Sequence, residues 1–391
     1  MRLAPLSLVV SLAAAAGCAA PVEPLERSAA GRQPIVGGTV DDETKGAVGL
    51  AVNFLDIWFA GHCSGSLITP NVVLTAQHCV SLTEGETPAG GVVCGQTDFG
   101  LAAGGQVFRV TTETERPQAD GPEFYPGANM RVRIPEQTDN LCGFDVALIV
   151  LEGAGIPSTE ATPLVPRIDS PPAPGDLFSA VGYGLTAPTD GDSGTRMRID
   201  DNVVSCVGAS CGSQIYDTEW RGDAPTCPGD SGGPAIDAEG RVMGVLSRGP
   251  SGCISSVYGD VSSWRDLLID TAVEAAELGG IEPPFWALTG ESTPPPPAGA
   301  GQTCLGICVA GHTCATTEDG SRRCVPTCDA DAPACPEGMR CDGIRGACLD
   351  DPAYVEEDSG CTTASPAGPS AAPPTWWLVL VALGARRRRR R

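Results

Sequence analysis

Residues 226–236 read Thr-Cys-Pro-Gly-Asp-Ser-Gly-Gly-Pro-Ala-Ile (TCPGDSGGPAI), which sets Ser231 in a glycine-rich turn with an acid before it and a short apolar run after it. A hydroxyl is a poor nucleophile until a base takes its proton, and that base needs a carboxylate to fix its tautomer and stabilise its charged form. For Ser231 to react, the chain must supply a histidine and an aspartate.

There are only three histidines. His78 ends the run VLTAQHC (73–79), a strand entering a turn; His62 sits beside Cys63, and His312 lies in a cysteine-rich stretch. Neither His62 nor His312 is assigned a role. Asp145 opens FDVALIVL (144–151), an acid at the mouth of a buried strand.

GDSGG also fits G-x-S-x-G, the nucleophile elbow of α/β-hydrolases, but that fold needs its histidine after the serine. The only later one, His312, lies past a proline-rich segment in a different module. The order His78, Asp145, Ser231 instead resembles the chymotrypsin-like (trypsin-like) serine proteases of the S1 family. IVGG (35–38) is similar to the new N-terminus that these enzymes form on activation, and CSGSLITPNVVLTAQHC (63–79) to the segment around their histidine. VGYG (181–184), GVLSRG (244–249) and a closing helix follow in the family's order, so the resemblance spans some 245 residues.

The resemblance implies an all-β fold, a double six-stranded β-barrel with a C-terminal helix, and a serine-type endopeptidase. His78 would be the general base, Asp145 its orienter and Ser231 the acylated nucleophile. The N–H groups of Gly229 and Ser231 would form the oxyanion hole, and Asp230 would pair with the freed amine of Ile35. Cys63–Cys79 and Cys227–Cys253 would be bridges of the family; Cys206–Cys211 is a local bridge, which leaves Cys94 for Cys142. Substrate-pocket positions fall on Pro225, Ser247, Gly249 and Ser256. Pro225 stands where enzymes that cut after Lys or Arg carry an aspartate, and Ser256 where a glycine is usual. Cleavage is therefore expected after small or medium apolar residues. Arg248 replaces the usual aromatic, a departure that alters the neighbouring subsites.

The chain has 391 residues and a net charge of −23 even with six arginines at its end. Such a body repels nucleic acid and acidic membrane surfaces. Its 50 glycines and 35 prolines stay below the roughly 25–30% share of mostly disordered chains. Short β-rich runs such as VGLAVNF, VVLTA, QVFRVTT and VMGVLS, separated by turn signals, indicate a sandwich or barrel. One helix is expected to start at Ser262 or Ser263 and stop at Gly279-Gly280. Eighteen cysteines point to an oxidising compartment: eight between Cys63 and Cys253, eight between Cys304 and Cys348, and Cys18 and Cys361 alone near the ends. No cluster has metal-ligand spacing, and no cofactor or metal is implied.

The organisation read from these signals is a signal peptide over 1–18, a propeptide over 19–34, the protease domain over 35–280, a proline-rich linker over 281–303, a cysteine-rich disulfide module over 304–350 and a tail over 351–391. In the module, CVAGHTC (308–314) and CPEGMRC (335–341) share C-x-x-G-x-x-C, a two-unit repeat. AAGC (15–18) resembles a lipobox, so Cys18 is either lipidated or near an ordinary cleavage site. The apolar run 376–385 would span only about 15 Å as a helix, short of the roughly 30 Å of a bilayer. Gly360-Cys361, this run and Arg386–Arg391 together resemble a MYXO-CTERM-type sorting tail, which implies processing at Cys361 and outer-membrane or cell-surface display. The expected partners are protein or peptide substrates, an activating protease and sorting machinery, with membrane association through the terminal signals alone. The bond to cut for activation is Pro34–Ile35, since a cut after Arg32 would leave two residues ahead of Ile35. The competing reading is an inactive protease-like scaffold that binds surface partners through the cysteine-rich module.

Overall fold

The computed structural model describes residues 35–54, 57–87, 91–102, 107–117, 124–136, 140–188, 192–250, 252–328 and 335–352. The two terminal signals, with Cys18 and Cys361, lie outside the described residues. After the short strand β1 (Thr39–Val40), the chain forms β2 (Ala47–Phe54), β3 (Ile57–Thr69), β4 (Val72–Thr75), the side hairpin β5 (Ser81–Glu84) and β6 (Asp98–Ala102), then β7 (Val107–Thr111), β8 (Tyr125–Arg133) and β9 (Ala147–Leu151). Strands β2, β3, β4, β9, β8 and β7 close into a six-stranded barrel. Val72, Val73, Leu74 and Leu148 to Val150 are all buried in its core, as expected of short apolar runs that face the inside of a closed sheet.

The second half contributes β10 (Leu177–Gly182), β11 (Met197–Val207), β12 (Glu219–Gly222), β13 (Pro234–Asp237), β14 (Val242–Arg248) and β15 (Ser256–Asp260). They run in the order β11-β10-β13-β14-β15-β12, and β12 returns to pair with β11, so this sheet also forms a ring of six with β1 on its outer edge. Phe178, Trp220 and Tyr258 fill its interior, with Trp220 and Tyr258 stacked at 4.4 Å. Between the halves Arg196 is wholly buried and donates to the carbonyls of Asp41 (2.9 Å) and Thr112 (2.9 Å) and to the Tyr183 hydroxyl (2.9 Å). A guanidinium spread over several oxygens satisfies its own donors while tying distant segments together.

Helix α1 (Arg265–Gly279) closes the protease. A 3₁₀ turn, Val261–Trp264, precedes it, and the N-cap of that turn is Asp260 instead of Ser262 or Ser263. The Asp260 carboxylate accepts from the Ser262 N–H (2.9 Å) and from both serine hydroxyls, so the serines serve as donors to the cap. The stop at the glycine pair stands, with Gly280 in the left-handed region at φ 65°. Among the described residues no helix is long and apolar enough to cross a membrane.

The linker assigned to 281–303 needs correction. Helix α2 (Phe285–Thr289) lies within it, and Trp286 is 1% exposed, in the same core cluster as the first barrel. Ser292 is likewise fixed, its hydroxyl accepting from Ile168 N–H (2.8 Å) and its N–H donating to Asp169 (2.8 Å). From Ala298 onward the chain pairs with the cysteine-rich module. Proline-rich composition concealed this because two aromatic anchors, Phe285 and Trp286, are enough to pin a short segment to a core. The stretch between the two attachments is only Thr293–Pro297.

The module comprises two hairpins, β16 (His312–Thr316) with β17 (Arg322–Pro326) and β18 (Met339–Asp342) with β19 (Ala347–Asp350). Its bridges are Cys304–Cys314, Cys308–Cys324, Cys328–Cys341 and Cys335–Cys348. Four bridges replace the core that so small a unit cannot build. Glu282 holds it to the protease, accepting from Thr316 N–H (2.7 Å) and pairing with Arg322 (3.1 Å).

Candidate active site

His78 stands in the 3₁₀ turn Gln77–Cys79 that ends β4, on the first barrel. Its Nδ1 lies 2.7 Å from Asp145 Oδ2, and its backbone N–H donates to Asp145 Oδ1 at 2.9 Å. Two bonds from one residue, one to each oxygen, fix how the carboxylate faces the histidine. Asp145 precedes β9 and is 3% exposed; a third donor, the Ser247 hydroxyl from the end of β14, reaches Oδ2 at 2.6 Å. The histidine side chain keeps 23% exposure.

Burial alone would favour the neutral forms of both groups. For His78 the Asp145 carboxylate outweighs burial, by charge and by hydrogen bond, and Glu86 adds to it; the imidazole is held above its usual 6.5, with Arg248 pulling the other way. Asp145 is held below the ordinary carboxylate range because the His78 charge and the bonds from His78 and Ser247 exceed its desolvation. The pair thus keeps a carboxylate beside a ring that takes up a proton readily.

Ser231 lies in the turn before β13. Its carbonyl accepts from Ser64 N–H (2.7 Å) and lies 3.7 Å from Cys79 Sγ, which seats the turn of the second barrel against the histidine turn of the first. Among the described residues no hydrogen bond joins the Ser231 hydroxyl to His78, a contact that often tightens only when substrate is bound. Gly232 is required here: its φ is 79°, and a Cβ would stand 2.1 Å from Thr75 Oγ1. Neither the Gly229 nor the Ser231 N–H donates to a backbone carbonyl among the described residues. Two unpaired donors in one turn are what a developing oxyanion needs.

Asp230 is 1% exposed, accepting from Gly184 N–H (2.8 Å) and Cys227 N–H (2.8 Å). A Cβ on Gly184 would come within 2.6 Å of this carboxyl, so the approach depends on glycine. No cation pairs with Asp230 among the described residues, and burial pushes its pKa up to about 7 against those two bonds. Ile35 is buried at 1% in the second core, with φ 38°.

At the pocket positions, Ser256 is wholly buried; its hydroxyl donates to Ala224 O (2.7 Å) and sits 2.5 Å from Thr226 Oγ1. Thr226 was not singled out from the sequence, although it directly follows Pro225. Gly249 follows Arg248 at the end of β14. Arg248 forms a bidentate ion pair with Glu219, at 2.5 and 2.9 Å. Glu219 was also missed, for an acid at the start of a short strand carries no signal until its partner is known.

The protease half contains the bridges Cys63–Cys79, Cys94–Cys142, Cys206–Cys211 and Cys227–Cys253. Among the described residues three clusters bring cysteines, one with His78, to ligand distance, but every sulfur in them is in a disulfide and has no thiolate to offer a metal. His312 is partly buried in β16, its ring 3.4 Å from Ala310 O; the His62 side chain lies outside the described residues.

A family model described as trypsin matches residues 35–268. The chain belongs to the trypsin family. Trypsin from Saccharopolyspora erythraea is 29% identical over 231 residues, covering 53% of this chain and 86% of the relative. Trypsin delta from Drosophila melanogaster is 28% identical over 223 residues (54% and 78%), and snake venom serine protease 2 from Protobothrops jerdonii 29% over 203 residues (49% and 68%). Membership in the trypsin family makes the protein a serine-type endopeptidase with the trypsin-like fold just described. The residues matched by the family model fall within the protease half, and the module and tail lie outside that match.

Proposed function

We propose that this trypsin-family protein is an exported, surface-displayed endopeptidase whose triad is His78, Asp145 and Ser231. The observation that carries the assignment is the Asp145 carboxylate, bonded to both His78 nitrogens that face it and to Ser247. In the reaction His78 Nε2 takes the Ser231 proton as Oγ attacks the scissile carbonyl. The oxyanion is received by Gly229 and Ser231 N–H, and His78 returns the proton to the leaving amine. Water, activated by the same histidine, then hydrolyses the acyl-enzyme.

The protein is made as a precursor. Cleavage of Pro34–Ile35 frees an amine that pairs with Asp230; the unpaired, desolvated carboxyl supports this reading, because a buried carboxylate without a cation is costly. Specificity for small apolar residues is supported by the uncharged Pro225 and by the Thr226–Ser256 hydroxyl pair, which gives a basic side chain no counter-ion. Export is supported by the eight bridges among the described residues, and surface display by the Cys361 tail motif alone. Labelling by a fluorophosphonate probe after release of Ile35, lost in Ser231→Ala, tests the triad; a Ser231→Ala protein that still labels would overturn it.

A further inference from the structure

Glu219 is a buried carboxylate, 1% exposed, that takes no part in the proposed chemistry. It gathers four donors. Oε1 accepts from Gly143 N–H (2.8 Å) and Arg248 (2.5 Å), and Oε2 from Tyr216 N–H (3.0 Å) and Arg248 (2.9 Å). Both ends of this cluster lead to the same side chain. Gly143 lies two residues ahead of Asp145, and its carbonyl is bonded in turn by the Thr218 hydroxyl (2.5 Å). Arg248 follows Ser247 and donates to the Ser247 hydroxyl at 3.3 Å, while that hydroxyl donates to Asp145 Oδ2 at 2.6 Å. With its lone pair turned to the guanidinium, Ser247 can spend its one proton only on Asp145. Arg248 is further tied to Gln214 O (2.8 Å), beside the Cys94–Cys142 bridge.

We propose that the Glu219–Arg248 ion pair is a brace for Asp145, with both residues acting as positioning residues for the triad: Glu219 holds the chain entering Asp145, and Arg248 orients the hydroxyl that bonds it. A bidentate arginine–carboxylate pair is suited to this because it fixes direction as well as distance. The brace rests on the triad assignment made above. It also places a cation near His78, where the facing charges are Asp145, Glu86 and Arg248; Glu219 acts on the ring only through Arg248, whose charge it offsets.

The test uses the full chain with a site-specific processing sequence directly ahead of Ile35, active sites counted by fluorophosphonate titration, and a small acyl ester that reaches no further than the primary pocket. Glu219→Gln and Arg248→Met are each expected to lower kcat per titrated site by about tenfold to a hundredfold, the order of loss from misplaced groups, with KM little changed. The acid limb of kcat/KM should move up in Arg248→Met, which removes a cation, and down in Glu219→Gln, which leaves that cation unbalanced. Arg248→Lys, which keeps the charge but loses the fork, should retain the wild-type limb with an intermediate kcat, and it carries the test if Glu219→Gln does not fold. A merely structural role would reduce the titratable fraction without moving the limb. Wild type that labels, with variant limbs and kcat per site unchanged, overturns the brace alone; wild type that does not label overturns the triad assignment and the brace with it.

Discussion

The hydroxyls of Thr226 and Ser256 meet 2.5 Å apart in the wholly buried neighbourhood of Ala224, and Ser256 donates onward to Ala224 O. With the primary pocket placed as proposed, two side chains joined in this way would narrow the space a substrate side chain can enter. Replacing Ser256 by glycine removes one of them, so Ser256→Gly should raise kcat/KM for leucine or phenylalanine before the cut by about tenfold or more relative to alanine, in line with what a methylene or two is worth in a pocket. Profiling a peptide library with both proteins checks this. A wild-type profile dominated by lysine or arginine would overturn the assignment of the pocket.

Asp145→Asn keeps the shape of the carboxylate but offers an amide to His78, favouring the wrong tautomer. A loss of about 10,000-fold in kcat is expected, as in triads of this type, with the protein still folded by circular dichroism.

The pH profile follows from the same pair. His78 must be neutral to accept the Ser231 proton, so activity should rise with pH through a value above the usual 6.5. For stability the sign runs the other way: the raised histidine contributes below 6.5, and the gain is lost as pH rises through its higher folded value. The depressed Asp145 contributes above its unfolded value of 3.8 and loses that contribution as pH falls through the folded one. Rate measurements through the neutral range, with thermal melts carried from there to below pH 3.8, separate the two.

In the uncleaved chain Asp230 is raised from 3.8 to about 7, so it stabilises least above that range: the effect is present below 3.8 and is lost as pH climbs through about 7. Asp230→Asn cannot ionise but can accept only one of the two backbone bonds, so the precursor's Tm deficit relative to wild type should shrink from pH 4 to pH 8, while activity after Ile35 is released is abolished. A deficit that grows toward pH 8 would contradict this.

Trp286→Ala should destabilise the protein by about 3–5 kcal/mol, the usual cost of emptying a core site of that size, as measured by denaturant unfolding. A chain ended at Gly280 should be less stable still.

Much of the fold was legible because the barrel strands are short apolar runs and the chemistry-bearing residues stand in runs of characteristic spacing: VLTAQHC places His78 at a strand end, and GDSGG admits only a tight turn at Ser231. The candidate triad was readable from its chain order taken together with the family resemblance of the runs around it. Thr226 and Glu219 were not, since their meaning comes from partners 30 and 29 residues away, Ser256 and Arg248. Trp286 was hidden for a different reason, because composition averaged over 281–303 dilutes two aromatic anchors among prolines.

The clamps on either side of the proline run bear on the protein's survival among peptidases, itself included. Cleavage concentrates at exposed, extended joints whose backbone can pair with the attacking enzyme. Here the joint is reduced to one threonine and four prolines, Thr293–Pro297, and proline has no N–H to offer such pairing. Self-digestion therefore finds no easy place to part the cutting half from the cysteine-rich half, and whatever holds one of them in place holds both.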